Sequence, residues 1–93
     1  MINKNIIKIR KKLDKLDDSL LNIIKKRTIL VDQVLKNKKY KKDIVDRQRI
    51  KIILRNISKK SKKKKIDVTI TKRIWKSMIS TFIDYEFRKF KKK

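Results

Sequence analysis

The first third of the chain carries a long helical pattern of apolar residues. They recur mostly at alternating spacings of three and four, at Ile6, Ile9, Leu13, Leu16, Leu20, Ile23, Leu30 and Val34. This spacing places them on one stripe of an amphipathic α-helix. The chain contains no glycine and no proline, so no strong breaker interrupts the pattern. It predicts a helix from about residue 3 to residue 39 and an all-α fold.

Two shorter helices are predicted after the long one. Asp46 and Asp67 each stand directly before a new run of apolar residues, and Asp is a favoured N-cap. We therefore expect helices over about residues 46–60 and 67–89, with a polar loop over 39–45. The lysine-rich segment from Ser58 to Lys65 predicts a solvated connection, and nucleic-acid contact is its alternative.

The length of the first helix predicts a second copy of the chain. Such a helix spans about 55 Å, more than a globular monomer of 93 residues can cover. A single core of this size is also marginal. We therefore expect residues 1–93 to form one domain, with one long and two shorter helices, that assembles as a homodimeric helical bundle.

Composition excludes several classes of chemistry. The chain has no Cys, His or Gly, which excludes disulfides, thiol and serine–histidine catalysis, and glycine-rich nucleotide loops. We expect neither a metal nor a cofactor. The formal net charge is +23, but the lysines are scattered over every segment. We interpret the charge as compositional drift that attracts small anions, without specific nucleic-acid binding.

A membrane location is not expected. No apolar run approaches the length of about 20 residues that a transmembrane helix needs. The segment MINKNIIKIRKK lacks the apolar core and cleavage site of a secretory signal. The expected location is the cytoplasm.

Arg27 points to an anionic ligand. It lies on the apolar stripe of the first helix, where a cation is costly unless an anion meets it, and the chain has only nine acids. Lys38 follows eleven residues later on the same face, so both side chains can converge on one small anion. In the alternative, Arg27 extends to solvent or pairs with Asp32.

Arg10 lies about 25 Å before Arg27 along the helix. Within one chain it cannot share a site with Arg27, but an antiparallel partner helix could bring it there. Its alternative is an exposed pair with Asp14. Arg49, in the first turn of the second helix, opposes the helix dipole, and with the free N–H groups after Asp46 it can bind an anion or a hydroxyl. Its alternative is an exposed arginine.

Glu86 is the only glutamate of the chain. By its local sequence it is a surface acid that pairs with Lys89, three residues later.

Taken together, these residues resemble the all-helical class of chorismate mutases. The segment IRKKLDKLDDSLLNIIKKRTILVDQVLKNK is similar to that family's opening pattern of Arg, a Leu-Asp pair, a double Leu, then Arg and Lys. The segment DRQRIKIIL is similar to its Asp-x-x-Arg-Glu run. From Asp46 the match continues ungapped to Glu86, so the resemblance covers nearly the whole chain.

The resemblance implies an intertwined homodimer with two equivalent sites that convert chorismate to prephenate, in phenylalanine and tyrosine biosynthesis, without a cofactor. It implies that Lys38 and Glu86 act on the ether oxygen and that Arg27, Arg49 and Asp46 bind substrate together with Arg10 of the partner subunit. Two positions depart from the family pattern: Ile50 replaces the usual Glu, and Phe82 replaces a Ser, which implies reduced efficiency. Glu86 stands where Gln is more common.

Three other functions stay open on the sequence. Isochorismate–pyruvate lyase uses the same architecture for a similar pericyclic reaction. A basic helical protein that binds nucleic acid is a different class, but it leaves Arg27 on the apolar stripe unexplained. The third is a degenerate mutase that keeps only the dimer fold.

Overall fold

The computed structural model describes residues 3–91. This part of the chain contains three α-helices, one short 3-10 helix and no strand, which confirms the expected all-α class. The elements are α1 (Lys4–Lys36), a 3-10 helix (Lys41–Asp43), α2 (Arg47–Lys63) and α3 (Val68–Lys89). The expected domain of residues 1–93 includes residues 1, 2, 92 and 93, which lie outside the described part.

Both predicted N-caps are confirmed. The Asp46 side chain accepts a hydrogen bond of 3.0 Å from the backbone N–H of Arg49, and Asp67 accepts one of 2.8 Å from the N–H of Thr69. Each bond satisfies an amide that the first helical turn leaves without an intrahelical acceptor. The starts of α2 and α3 therefore follow directly from the sequence.

The predicted end of α1 is wrong, because the helix stops at Lys36. The backbone N–H groups of Asn37 and Lys38 donate to carbonyls three residues earlier, which is the tighter 3-10 pattern that closes helices. The Asn37 amide also donates to the carbonyl of Gln33 over 2.9 Å. Lys38 therefore does not continue the helical stripe and lies in the connection beyond α1.

The predicted end of α2 and the predicted solvated connection are also wrong. The helix continues through Ser58 to Lys63, and Ser61 within it is buried. The Ser61 hydroxyl lies 2.8 Å from the Thr71 hydroxyl of α3 and donates to the Ile57 carbonyl over 2.6 Å. The lysines around Ser61 are exposed, so this segment packs α2 against α3 through one small residue.

The C-terminus of α2 ends in a Schellman motif with a lysine at its left-handed position. The N–H of Ile66 donates to the Ser61 carbonyl and the N–H of Lys65 to the Lys62 carbonyl, the two bonds that define the motif. Lys65 has φ of 58°, a conformation that glycine adopts at little cost and other residues do not.

Replacement of Lys65 by glycine is therefore expected to stabilise the protein by about 1 kcal/mol. Urea unfolding of the wild type and the variant at one protein concentration measures the difference. Lys64→Gly is the matched control, because Lys64 has φ of −86° and gains nothing from the freedom of glycine. A variant Lys65→Gly that is no more stable than Lys64→Gly would contradict this explanation.

The chain divides into two units, Met1–Val31 and Asp32–Lys93. The second unit contains the packed pair α2 and α3 and buries Leu35 and Ile44. In the single chain, by contrast, the eight apolar residues that define the α1 stripe are 43–65% exposed: Ile6, Ile9, Leu13, Leu16, Leu20, Ile23, Leu30 and Val34. An apolar surface of this extent is typical of an interaction face. No helix in residues 3–91 has the length and apolarity needed to cross a membrane.

Candidate active site

A partly buried ion pair joins the connection after α1 to the end of α3. Lys38 Nζ lies 3.1 Å from Glu86 Oε1, and the two side chains are 18% and 9% exposed. Lys38 Nζ also donates to the Ile44 carbonyl over 3.4 Å. Removing two charges from water is costly, and a pair of this kind is weak evidence for stability. Ionisable groups that a fold nevertheless encloses are candidates for function.

The interpretation of Glu86 as a surface acid is wrong. Glu86 as a whole residue is only 7% exposed, and its carboxylate faces Lys38, 48 positions away in the sequence. The nearly buried Ile44 places its carbonyl beside the Lys38 ammonium. The pair therefore offers one ammonium with a fixed direction and a carboxylate that accepts from it.

Asp46 and Arg49 lie together at the N-terminus of α2. The Asp46 carboxylate is engaged as the N-cap of α2 and accepts from the Arg49 amide. The Arg49 side chain is exposed and extends from the positive end of the helix dipole. This turn therefore has the polarity that attracts an anion.

Arg10 and Arg27 both lie on α1 in the first unit, Arg10 exposed and Arg27 half-buried. Seventeen residues of helix separate them, about 25 Å along the axis. The regular course of α1 between them confirms that they cannot meet around one small molecule within one chain.

The two positions that depart from the family pattern are apolar and half-buried. Ile50 lies in the first turn of α2 and Phe82 in α3. The Phe82 ring packs edge-to-face against the Tyr85 ring, with centroids 6.3 Å apart and an interplanar angle of 81°. Neither side chain can accept a hydroxyl hydrogen bond or bind a carboxylate.

One polar contact near the site is not predicted by the sequence. The Tyr85 hydroxyl donates a hydrogen bond of 2.7 Å to Asp32 Oδ1. This bond raises the pKa of Tyr85 above its ordinary value of 10.0, with further contributions from desolvation and the Asp32 charge, while Arg88 lowers it. In the sequence, Tyr85 counts only as an apolar position of the third helix, and Asp32 only as an alternative partner for Arg27. The signal available was the phenol itself, which needs a partner when it packs in a core.

Within residues 3–91, no group of three or more acidic side chains could hold a metal ion. Lys38 and Glu86 are the two expected site residues that the second unit joins by a direct side-chain contact. Their chemistry is electrostatic, because an ammonium and a carboxylate can orient and stabilise charge on a bound molecule.

Comparison with known proteins identifies the family. No curated protein and no solved structure matches the chain. The family model of chorismate mutase type II matches residues 9–87. That match covers most of the chain, from the first turns of α1 to the residue after Glu86. The chain therefore belongs to the chorismate mutase type II family.

Proposed function

We propose that the chain is a chorismate mutase that converts chorismate to prephenate in phenylalanine and tyrosine biosynthesis. The observation that carries the proposal is the partly buried Lys38–Glu86 pair, in a chain of the chorismate mutase type II family. The absence of Cys and His from the sequence fits a reaction that needs no protein nucleophile. The proposed enzyme is a single domain of residues 1–93 in the cytoplasm.

The rearrangement is intramolecular. The ether C–O bond of chorismate breaks while a new C–C bond forms, and all atoms stay in one molecule. The site has to hold the substrate in its reactive chair-like conformer. It also has to stabilise the negative charge that develops on the ether oxygen as the C–O bond lengthens.

Lys38 is proposed to donate a hydrogen bond to the ether oxygen. Its ammonium has three donors, and the contacts to Glu86 Oε1 and the Ile44 carbonyl use two of them. The third remains for the substrate. Because the ammonium is held in place before the reaction, little reorganisation is needed when charge develops.

Glu86 is proposed to have two roles that depend on its protonation. As a carboxylate it orients Lys38, but it can only accept hydrogen bonds. When protonated it can donate to the ether oxygen itself.

The carboxylates of the substrate are proposed to bind arginines. Arg27 offers the bidentate geometry that suits a carboxylate, and Arg10 of the partner subunit is proposed to bind the other one. Arg49 adds positive potential, and the backbone N–H of Asp46 is available for the substrate hydroxyl. Ile50 cannot assist that contact, which is the reason to expect a modest turnover.

The proposed site requires a homodimer. Each site combines residues of one chain with Arg10 of the partner subunit. The exposure of the whole α1 stripe in the single chain supports an intertwined pairing, because a second α1 would cover that surface. Burial of such apolar area is the main driving force of stable association.

The proposal is tested by following chorismate consumption and prephenate formation with the purified protein. Arg27→Ala is expected to lower kcat/KM more than tenfold, the loss expected for a charge-assisted contact. Arg73→Ala, which removes an exposed arginine of α3, is expected to leave it unchanged. Isochorismate is assayed in parallel. If the protein released pyruvate from isochorismate but formed no prephenate from chorismate, the lyase would replace the mutase as the proposed function. A folded protein inactive on both substrates would refute an enzymatic role.

A further inference from the structure

Two side-chain contacts join the last turns of α1 and the connection after it to α3 within the second unit. Asp32 Oδ1 accepts from the Tyr85 hydroxyl at 2.7 Å, and Lys38 Nζ lies 3.1 Å from Glu86 Oε1. Asp32 precedes Lys38 by six residues, and Tyr85 directly precedes Glu86. The Asp32–Tyr85 hydrogen bond and the Lys38–Glu86 ion pair therefore connect the same two segments of the chain.

Lys38 needs an external constraint to hold its position. It follows the end of α1 at Lys36, so regular helix geometry does not fix its backbone. Its side chain has four rotatable bonds and large rotamer entropy. The direction of the ammonium thus depends on where the last turns of α1 lie relative to Glu86. Asp32 is in those last turns.

Tyr85 is well suited to fix that position. Its ring packs edge-to-face on Phe82, and the cationic groups of Arg88 and Lys89 lie 5.9 and 6.0 Å from the ring centroid. The ring therefore has a defined direction. A phenol that donates to a carboxylate over 2.7 Å forms a charge-assisted hydrogen bond, the stronger and more directional kind.

We propose that the Asp32–Tyr85 hydrogen bond is a latch that fixes the end of α1 on α3 and thereby holds Lys38 beside Glu86. Tyr85 is then a positioning residue for the ammonium, and this role rests on the proposed mutase function. The latch consists of Asp32 and Tyr85 only. Small displacements of a catalytic group are costly because the reacting geometry tolerates errors well below 1 Å.

The kinetic test removes the hydroxyl and keeps the ring. Tyr85→Phe is expected to lower kcat about tenfold with KM changed less than twofold, because Lys38 acts on charge that develops in the transition state. Asp32→Ala is expected to match Tyr85→Phe, whereas Asp32→Asn, whose amide oxygen still accepts the hydroxyl, is expected to keep most of the activity. Tyr40→Phe is the matched control, since Tyr40 is 61% exposed.

A second readout does not depend on turnover. Glu86 is the only glutamate, so protein labelled with 13C at the glutamate side-chain carboxyl gives one NMR signal. Lys38→Met defines the position of this signal when the ion pair is absent. Tyr85→Phe and Asp32→Ala are expected to move the signal part of the way to that position. Asp32→Asn and Tyr40→Phe are expected to leave it at the wild-type position.

The outcomes separate the latch from the proposed function. A wild-type protein without mutase activity would refute the function, while the Glu86 signal would still decide the latch. An active wild type whose kcat and Glu86 signal are both unchanged in Tyr85→Phe would overturn the latch. Equal losses in Asp32→Asn and Asp32→Ala would also overturn it, since the hydrogen bond would then not be the relevant contact.

Discussion

Replacement of Glu86 by glutamine is expected to raise kcat at about pH 7.5 by up to a hundredfold. A carboxylate beside the ether oxygen accepts hydrogen bonds only, so the site has one donor there, Lys38. A glutamine performs both roles at every pH. Its carbonyl accepts from Lys38 while its N–H donates to the substrate.

The magnitude follows from the value of one positioned donor. Removing a donor from a site that stabilises developing negative charge costs about 10²–10³ in kcat, and glutamine supplies such a donor. Rates of prephenate formation measure the effect in both proteins.

Asp84→Asn is the matched control for this substitution. It also removes one negative charge from α3, but Asp84 is exposed and is not part of the proposed site. Its kcat is expected to match that of the wild type. A Glu86→Gln protein that is slower than the wild type would show that the carboxylate charge, rather than a missing donor, is what the site needs.

For the Lys38–Glu86 pair, local sequence and the family resemblance predicted different partners of Glu86. Local spacing assigned Glu86 to Lys89, and only the family resemblance assigned it together with Lys38. Tertiary packing decided the question, because the connection after α1 places the Lys38 ammonium beside the buried Glu86. A contact over 48 positions is set by tertiary packing, which residue spacing within one helix cannot report.

Helix starts were predictable, and so was the end of α3 at Lys89, but the ends of α1 and α2 were not. Asp46 and Asp67 are caps of a type that the sequence displays directly. The ends of α1 and α2 carry no glycine or proline, so no residue marks them. The α2 terminus is instead a Schellman motif with Lys65 in the left-handed conformation. The Asp32–Tyr85 bond was missed for the same reason as the pair, since 53 positions separate its residues.

Introduction of glutamate on the α1 stripe is expected to abolish the proposed dimer and, with it, activity. In the single chain Leu20 is 53% exposed, so Leu20→Glu in a monomer would change stability by only about 0.5 kcal/mol. In a dimer each copy loses the burial of a leucine, about 1.5–3 kcal/mol, and encloses a charge. With two copies per dimer, the dissociation constant should rise more than about 10³-fold.

Asn22→Glu separates this effect from charge. Asn22 is also exposed and lies two residues after Leu20, on the opposite side of the helix from the centre of the stripe. Both variants add one negative charge to a chain of formal charge +23, which lowers the repulsion between two copies. Electrostatics alone therefore predicts that both variants dimerise more tightly than the wild type.

Sedimentation equilibrium should instead show Asn22→Glu as a dimer and Leu20→Glu as a monomer. The monomer should be inactive even with an intact Lys38–Glu86 pair, because its site lacks Arg10 of the partner subunit. A wild-type protein that sediments as a monomer and still forms prephenate would contradict the shared site.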